Sequence, residues 1–108
     1  MDALIVVAKR PASGRTKTRL SPPLSPDQAA ALYDCFLRDT LDLVCRVPNV
    51  KPVIAYLPLE AEAYFAQLAP EFDRVPQTGD DLGARLDHAV TRYLTNGYAR
   101  VAIMNNRA

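Results

Sequence analysis

Five cationic side chains, Lys9, Arg10, Arg15, Lys17 and Arg19, fall within residues 9–21, and no carboxylate interrupts them. The whole chain holds 13 Lys and Arg in 108 residues, with a formal net charge of +1. The positive charge is therefore local. A local cluster suits a small anionic ligand. General nucleic-acid binding, which rests on many phosphate contacts, is disfavoured. Arg offers a bidentate fork to phosphate and Lys a compact charge. Gly14 lets the backbone turn tightly beside a ligand. Arg15, Lys17 and Arg19 alternate, so an extended segment would splay them, whereas a curl around a polyphosphate would converge them. The segment is not a P-loop. Gly14-Arg15-Thr16-Lys17-Thr18 lacks the first glycine and the GK pair, and Pro22 and Pro23 delay the following helix. The dinucleotide pattern GxGxxG is absent as well. The bland alternative is a solvated basic loop with no ligand.

A second stretch, Gln77-Thr78-Gly79-Asp80-Asp81-Leu82-Gly83, has a different chemistry. The Gln77 amide can read a base edge. Gly79 lets a flat ring approach the backbone. The free amides at a helix start can hold an anion. The alternative is a plain turn in which Asp80 or Asp81 caps the helix. The remaining candidates are weaker. His88 is the only histidine, set beside Asp87 and off the apolar stripe, and is expected to be exposed. It supports neither a Ser-His-Asp arrangement nor a His-rich metal site. Asp39 and Asp42 read as solvated or cap-like. Cys35 and Cys45 lie in one helical pattern, about 15 Å apart at 1.5 Å per residue, and are expected to be reduced thiols.

These residues need a frame. Residues 3–8 (ALIVVA) form a continuous apolar, β-rich run, as expected of a strand buried on both faces of a parallel sheet. A long loop over residues 9–25 follows. Ser25 and Pro26 then open a helix expected to run to about Arg46, with Leu32, Tyr33, Phe36, Leu37, Thr40, Leu41 and Val44 at helical spacing. Further strands are expected at residues 52–57, 72–76 and 99–104. A short helix is expected at 60–68 and a longer one at 81–95, with Leu82, Leu86, Ala89, Val90, Tyr93 and Leu94 inward. The five tyrosines are expected in the core or at its edge. Strands alternating with helices imply parallel pairing, right-handed crossovers and a three-layer α/β/α, Rossmann-like domain over residues 1–108. Ligands of such sheets bind beyond the carboxyl ends of the strands, where both polar stretches fall. No apolar run approaches the ~20 residues of a membrane span. The N-terminus has Asp2 and no basic run, so a secretory signal is not expected and a cytoplasmic location is.

The stretches AKRPASGRTKTRLSPPLSPDQAAALYDCFLRDTLD and QTGDDLGARL resemble a bacterial GT-A-like group of nucleotide-diphospho-sugar transferase or glycosyltransferase-like proteins. That group is similar to 2-phospho-lactate guanylyltransferase and, more distantly, to molybdenum-cofactor nucleotidyltransferases. Its pattern is a strand, P-x-x-G-x-x-K-T-R-L, a long helix ending in D-T-L, Q-x-G-x-D-L-G-x-R, and a strand. All parts occur here in order, across nearly the whole chain. The resemblance implies that Gly14, Lys17, Thr18 and Arg19 line a phosphate-facing loop, and the basic cluster itself adds Lys9 and Arg15 as candidate phosphate contacts. It implies that Gln77, Gly79, Asp81, Gly83 and Arg85 lie near the nucleoside. It also implies that the first and fourth strands are neighbours.

One position departs from the pattern. After the fourth strand the group carries a turn whose aspartate holds a divalent metal, Mg or Mn, bridging the nucleotide phosphates. Here the chain reads Met104-Asn105-Asn106-Arg107-Ala108, with Arg107 in place of the aspartate. Members are about twice this length, so the resemblance points to an N-terminal half. The implied function is binding of a nucleotide or nucleotide-sugar in a glycosyl or nucleotidyl transferase, weak or inactive in this chain alone. The alternative is a non-catalytic, self-associating α/β module, because a sheet stopped after its fourth strand leaves an edge uncovered.

Overall fold

A computed structural model of the chain describes residues 1–10 and 25–105. Strands β1 (Asp2–Lys9), β2 (Val50–Leu57), β3 (Asp73–Pro76) and β4 (Arg100–Asn105) form one parallel sheet in the order β3-β2-β1-β4. Helices α1 (Pro26–Cys45) and α2 (Glu62–Leu68) cover one face, and α3 (Leu82–Thr95) covers the other. A single 3-10 turn, Leu59–Ala61, precedes α2. This is the α/β architecture that the apolar runs imply, and β1 and β4 are neighbours as the resemblance implies.

β1 is central, so both of its faces are buried. Val6 and Ala8 pack with Tyr33, Leu37, Leu41 and Val44 of α1 and Phe65 of α2. Ala3 and Ile5 pack with Val75, Ala89 and Tyr93 on the α3 side. The alternation follows from the two-residue period of a strand, and it explains why this run carries no polar residue between Ala3 and Ala8. Lys9, expected at the start of the loop, is instead the last residue of β1.

Ser25 caps α1 through a reciprocal pair. Its Oγ accepts from the Gln28 N–H at 3.1 Å, and the Gln28 side chain accepts from the Ser25 N–H at 2.9 Å. The inward stripe is narrower than the periodicity suggests. Leu32 and Phe36 are 36% and 42% exposed, because α1 meets the sheet along Tyr33, Leu37, Leu41 and Val44. Asp34 leans the other way, accepting from the Tyr64 hydroxyl of α2 at 3.3 Å. The same narrowing holds on α3, where Leu82 and Leu94 are exposed and Ala89 and Tyr93 are buried.

At the amino ends of the strands, Asp73 receives two partners, Lys51 Nζ at 3.3 Å and the Tyr93 hydroxyl at 3.3 Å. Burial, then the nearby Asp73 charge, pushes the Tyr93 hydroxyl up to about 12 from its ordinary 10.0. A raised tyrosine favours the fold while it stays protonated, so its contribution is complete below pH 10 and is lost between pH 10 and 12. Chemical denaturation across that window is expected to show falling stability, with a shallower fall in Tyr93→Phe. An equal slope in the two proteins would remove Tyr93 from the account.

Candidate functional site

Because all four strands are parallel, their carboxyl ends share one rim of the sheet. β1 delivers Lys9 and Arg10 there, and β3 delivers Gln77 and the turn into α3. Three hydrogen bonds hold the exit of β1. The Lys9 N–H donates to the Tyr33 hydroxyl at 3.0 Å. The Arg10 N–H donates to the Leu57 carbonyl at 2.9 Å. Gln77 Nε2 reaches the Ala8 carbonyl at 3.4 Å while donating to the Ala55 carbonyl at 3.0 Å. Burial pushes the Tyr33 hydroxyl up from its ordinary value, and the bond from Lys9 offsets part of that rise. Tyr33 was not among the expected site residues. The clue was available: a tyrosine on a buried helix stripe must place its hydroxyl against a polar partner.

Gln77 is only 7% exposed. Its amide nitrogen serves two strand carbonyls, and its own N–H donates to Tyr56 at 3.0 Å. A base edge could meet only its Oε1, a narrower role than the open amide expected from sequence. Gly79 adopts φ 140°, and a Cβ built there would lie 2.8 Å from the Ala84 Cβ and 2.9 Å from the Arg85 nitrogen. The turn is therefore folded flat against the first turn of α3. Asp81 caps that helix, its Oδ1 accepting from the Ala84 N–H at 2.8 Å, so the cap-like alternative describes this residue. Gly83 lies in the first turn of α3, where N–H groups have no carbonyl within the helix. Arg85 Nε donates to the Gly79 carbonyl at 3.1 Å, bringing a guanidinium back over the turn.

The structure thus gathers Lys9, Gln77, Gly79, Asp81, Gly83 and Arg85 at one rim. Gly14, Arg15, Lys17, Thr18 and Arg19, and also Arg107, lie outside the described residues. His88 departs from expectation. It is half-buried in α3, and its Nδ1 is buried without a partner among the described residues. Cys35 and Cys45 are free and exposed. No helix among the described residues is long and apolar enough to cross a membrane. The implied divalent metal finds no group of three or more His, Cys, Asp or Glu side chains among the described residues. Arg107 has no lone pair to offer one. The donor set among the described residues does not fit the ion.

No curated protein matches the chain. A crystal structure from Desulfovibrio desulfuricans G20, provisionally named as a nucleotide-diphospho-sugar transferase, superposes with a TM-score of 0.89 and 33% identity. The match covers 97% of this chain and 46% of that one, so the chain spans about half the length of that relative. The profile of a family described as uncharacterized proteins conserved in bacteria, DUF2064, matches residues 40–106. That match takes in the last turns of α1, every strand after β1, the turn at Gln77 and all of α3, and on it this chain belongs to the DUF2064 family.

Proposed function

We propose that this chain is the nucleotide-binding part of a GT-A-type transferase. It holds a nucleotide or nucleotide-sugar between the basic segment after β1 and the turn after β3. The observation that carries this reading is the convergence at the rim: Gln77 Nε2 lies 3.4 Å from the Ala8 carbonyl, one residue before Lys9. The two polar stretches, far apart in sequence, start from adjoining points. In this reading Lys9, Arg15, Lys17 and Arg19 neutralise the phosphates, Gly14 and Thr18 shape the segment around them, and the nucleoside lies over Gly79. Asp81, Gly83 and Arg85 set the opposite wall. The 33%-identical neighbour, provisionally named as a nucleotide-diphospho-sugar transferase, supports a transferase, and glycosyl or nucleotidyl transfer is the reaction class of this proposal. Longer family members that keep the aspartate after β4 would bring Mg or Mn to the phosphates. This chain, with Arg107 there, would bind more than it transforms.

A second reading, a self-associating module, draws on β4. Among the described residues its outer edge has no strand beside it, and Leu32, Phe36 and Leu43 are exposed along α1 at spacings of four and seven residues, on one side of the helix. One experiment separates the two. The 108-residue chain is titrated calorimetrically with GTP and with UDP-glucose, with and without Mg²⁺, after its mass has been measured by light scattering. Binding is expected, and Lys17→Ala combined with Arg19→Ala is expected to weaken it about 100-fold or more, since each charged hydrogen bond contributes roughly 1.5–3 kcal/mol. A folded sample that binds neither probe, or that ignores the double substitution, refutes the phosphate role. A dimer that binds nothing favours the second reading.

A further inference from the structure

Gln77 sits where the nucleotide-binding reading needs two loops to agree, yet its geometry is that of a clamp. Its side chain is buried at 7% exposure. Its amide bridges the carbonyls of Ala55 in β2 and Ala8 in β1, 22 and 69 residues away in sequence. Ala8 lies one position, and Ala55 two positions, before the last pair of the β1–β2 ladder, Lys9 with Leu57. A side-chain amide carries two N–H donors, and the two carbonyls account for both. Tyr33 and Leu57 complete the hold on the next two N–H groups, those of Lys9 and Arg10. The backbone of Ala8, Lys9 and Arg10 is thus held from three elements: α1, the end of β2 and the turn after β3.

We infer that Gln77 is a positioning residue that couples the turn after β3 to the take-off of the basic segment, acting on the ligand through the Ala8 carbonyl and not by reading a base. The inference rests on the nucleotide-binding reading for its functional consequence, while the clamp itself stands on the geometry. Glutamine suits the task better than its neighbours in chemistry. Methionine fills the space but donates nothing. Glutamate donates one hydrogen bond when protonated and repels both carbonyls when ionised.

The test compares the 108-residue chain with its Gln77→Met and Gln77→Glu forms. Amide hydrogen exchange is followed at Lys9 and Arg10, with Ile5 and Val6 as internal references. Gln77→Met is expected to speed exchange at Lys9 and Arg10 about ten-fold or more relative to Ile5 and Val6. Gln77→Glu is expected to do the same at about pH 8 and less at about pH 4, where the carboxyl carries a proton to donate. Uniform acceleration along β1, or none, overturns the inference. If Gln77→Met does not fold, the two pH values of Gln77→Glu give the same decision. Calorimetry with GTP and Mg²⁺ adds the functional arm. Lys17→Ala is expected to lose less affinity in the Gln77→Met background than in the parent, because the segment no longer starts from a fixed point. An unchanged Lys17→Ala loss would mean that Gln77 acts independently of the basic segment, and would also overturn the inference. If the parent chain does not bind GTP, the nucleotide reading fails on its own, and the exchange comparison still decides the clamp.

Discussion

Phe65→Ala is expected to lower folding stability by about 3–5 kcal/mol, the cost of removing a fully enclosed aromatic ring. Phe65 is 0% exposed. Its ring lies 5.9 Å from Tyr56 and 5.0 Å from Tyr64, the latter edge to face. It also packs against Ala61, Ala69 and Phe72. It is the sole fully buried residue of the seven-residue α2, and the helix's other core contacts, Tyr64 and Leu68, are only partly buried. A helix of two turns has little stability of its own, and α2 is expected to detach when the ring is gone. The ion pair between Arg74 Nε and Glu62, 2.7 Å apart, would go with it. That pair is largely exposed on the Glu62 side and adds little by itself. Domains of this size have roughly 5–15 kcal/mol in hand, so the variant should sit near its unfolding midpoint at modest urea. Urea denaturation measures the loss directly. A value below about 1 kcal/mol would show that α2 is not seated through Phe65.

The second large effect belongs to the turn after β3. Gly79→Ala is expected to cost about 2–3 kcal/mol, against about 1 kcal/mol for Gly97→Ala. Both glycines have positive φ, 140° and 97°, so both substitutions strain the backbone. Their surroundings differ. A Cβ at Gly97 meets nothing within 4 Å, whereas one at Gly79 falls 2.8–2.9 Å from the Cβ and backbone of Ala84 and from the Arg85 nitrogen. Backbone cannot step aside as a flexible side chain would, so the first turn of α3 must move. The Arg85 hydrogen bond to the Gly79 carbonyl and the Asp81 cap lie in that movement. Nucleotide affinity is expected to fall about ten-fold in Gly79→Ala and to be untouched in Gly97→Ala, which lies beyond the far end of α3. Equal stability losses in the two variants would mean that the close approach at Gly79 is absent.

What could be seen in the sequence was whatever depends on neighbours along the chain. The apolar run of β1, the Ser25–Gln28 cap and the Asp81 start of α3 all rest on spacings of a few residues, and each lies where those spacings put it. The pairing of β1 with β4 was not visible in any such spacing. It came from the resemblance of two motifs to a family. The misjudged residues are the ones that depend on how elements meet. Leu32, Phe36, Leu82 and Leu94 fit the helical period, but the period marks an arc and the sheet decides which part of the arc is covered. Gln77 is the clearest case at the site. Its amide chemistry was evident, but its partners lie on two strands, and nothing local names them. Tyr33 meets Lys9 across 24 residues for the same reason. His88 is part-buried in a shallow groove it shares with Asp87, Thr91, Arg92 and Thr95 of its own helix, which the helical period alone does not show.

The central place of β1 also has a kinetic meaning. Its first side closes on β2, but its second side waits for β4, and the Asp2–Arg100 contact spans 98 residues. Closing so long a loop costs entropy before any strand bond repays it, and parallel, non-local pairings of this kind are slow to form. During synthesis one edge of the most apolar strand stays open until residue 105 has emerged. The strand that best defines the fold is thus also the one that a growing chain exposes longest, and it is there that a chaperone would have most to shield.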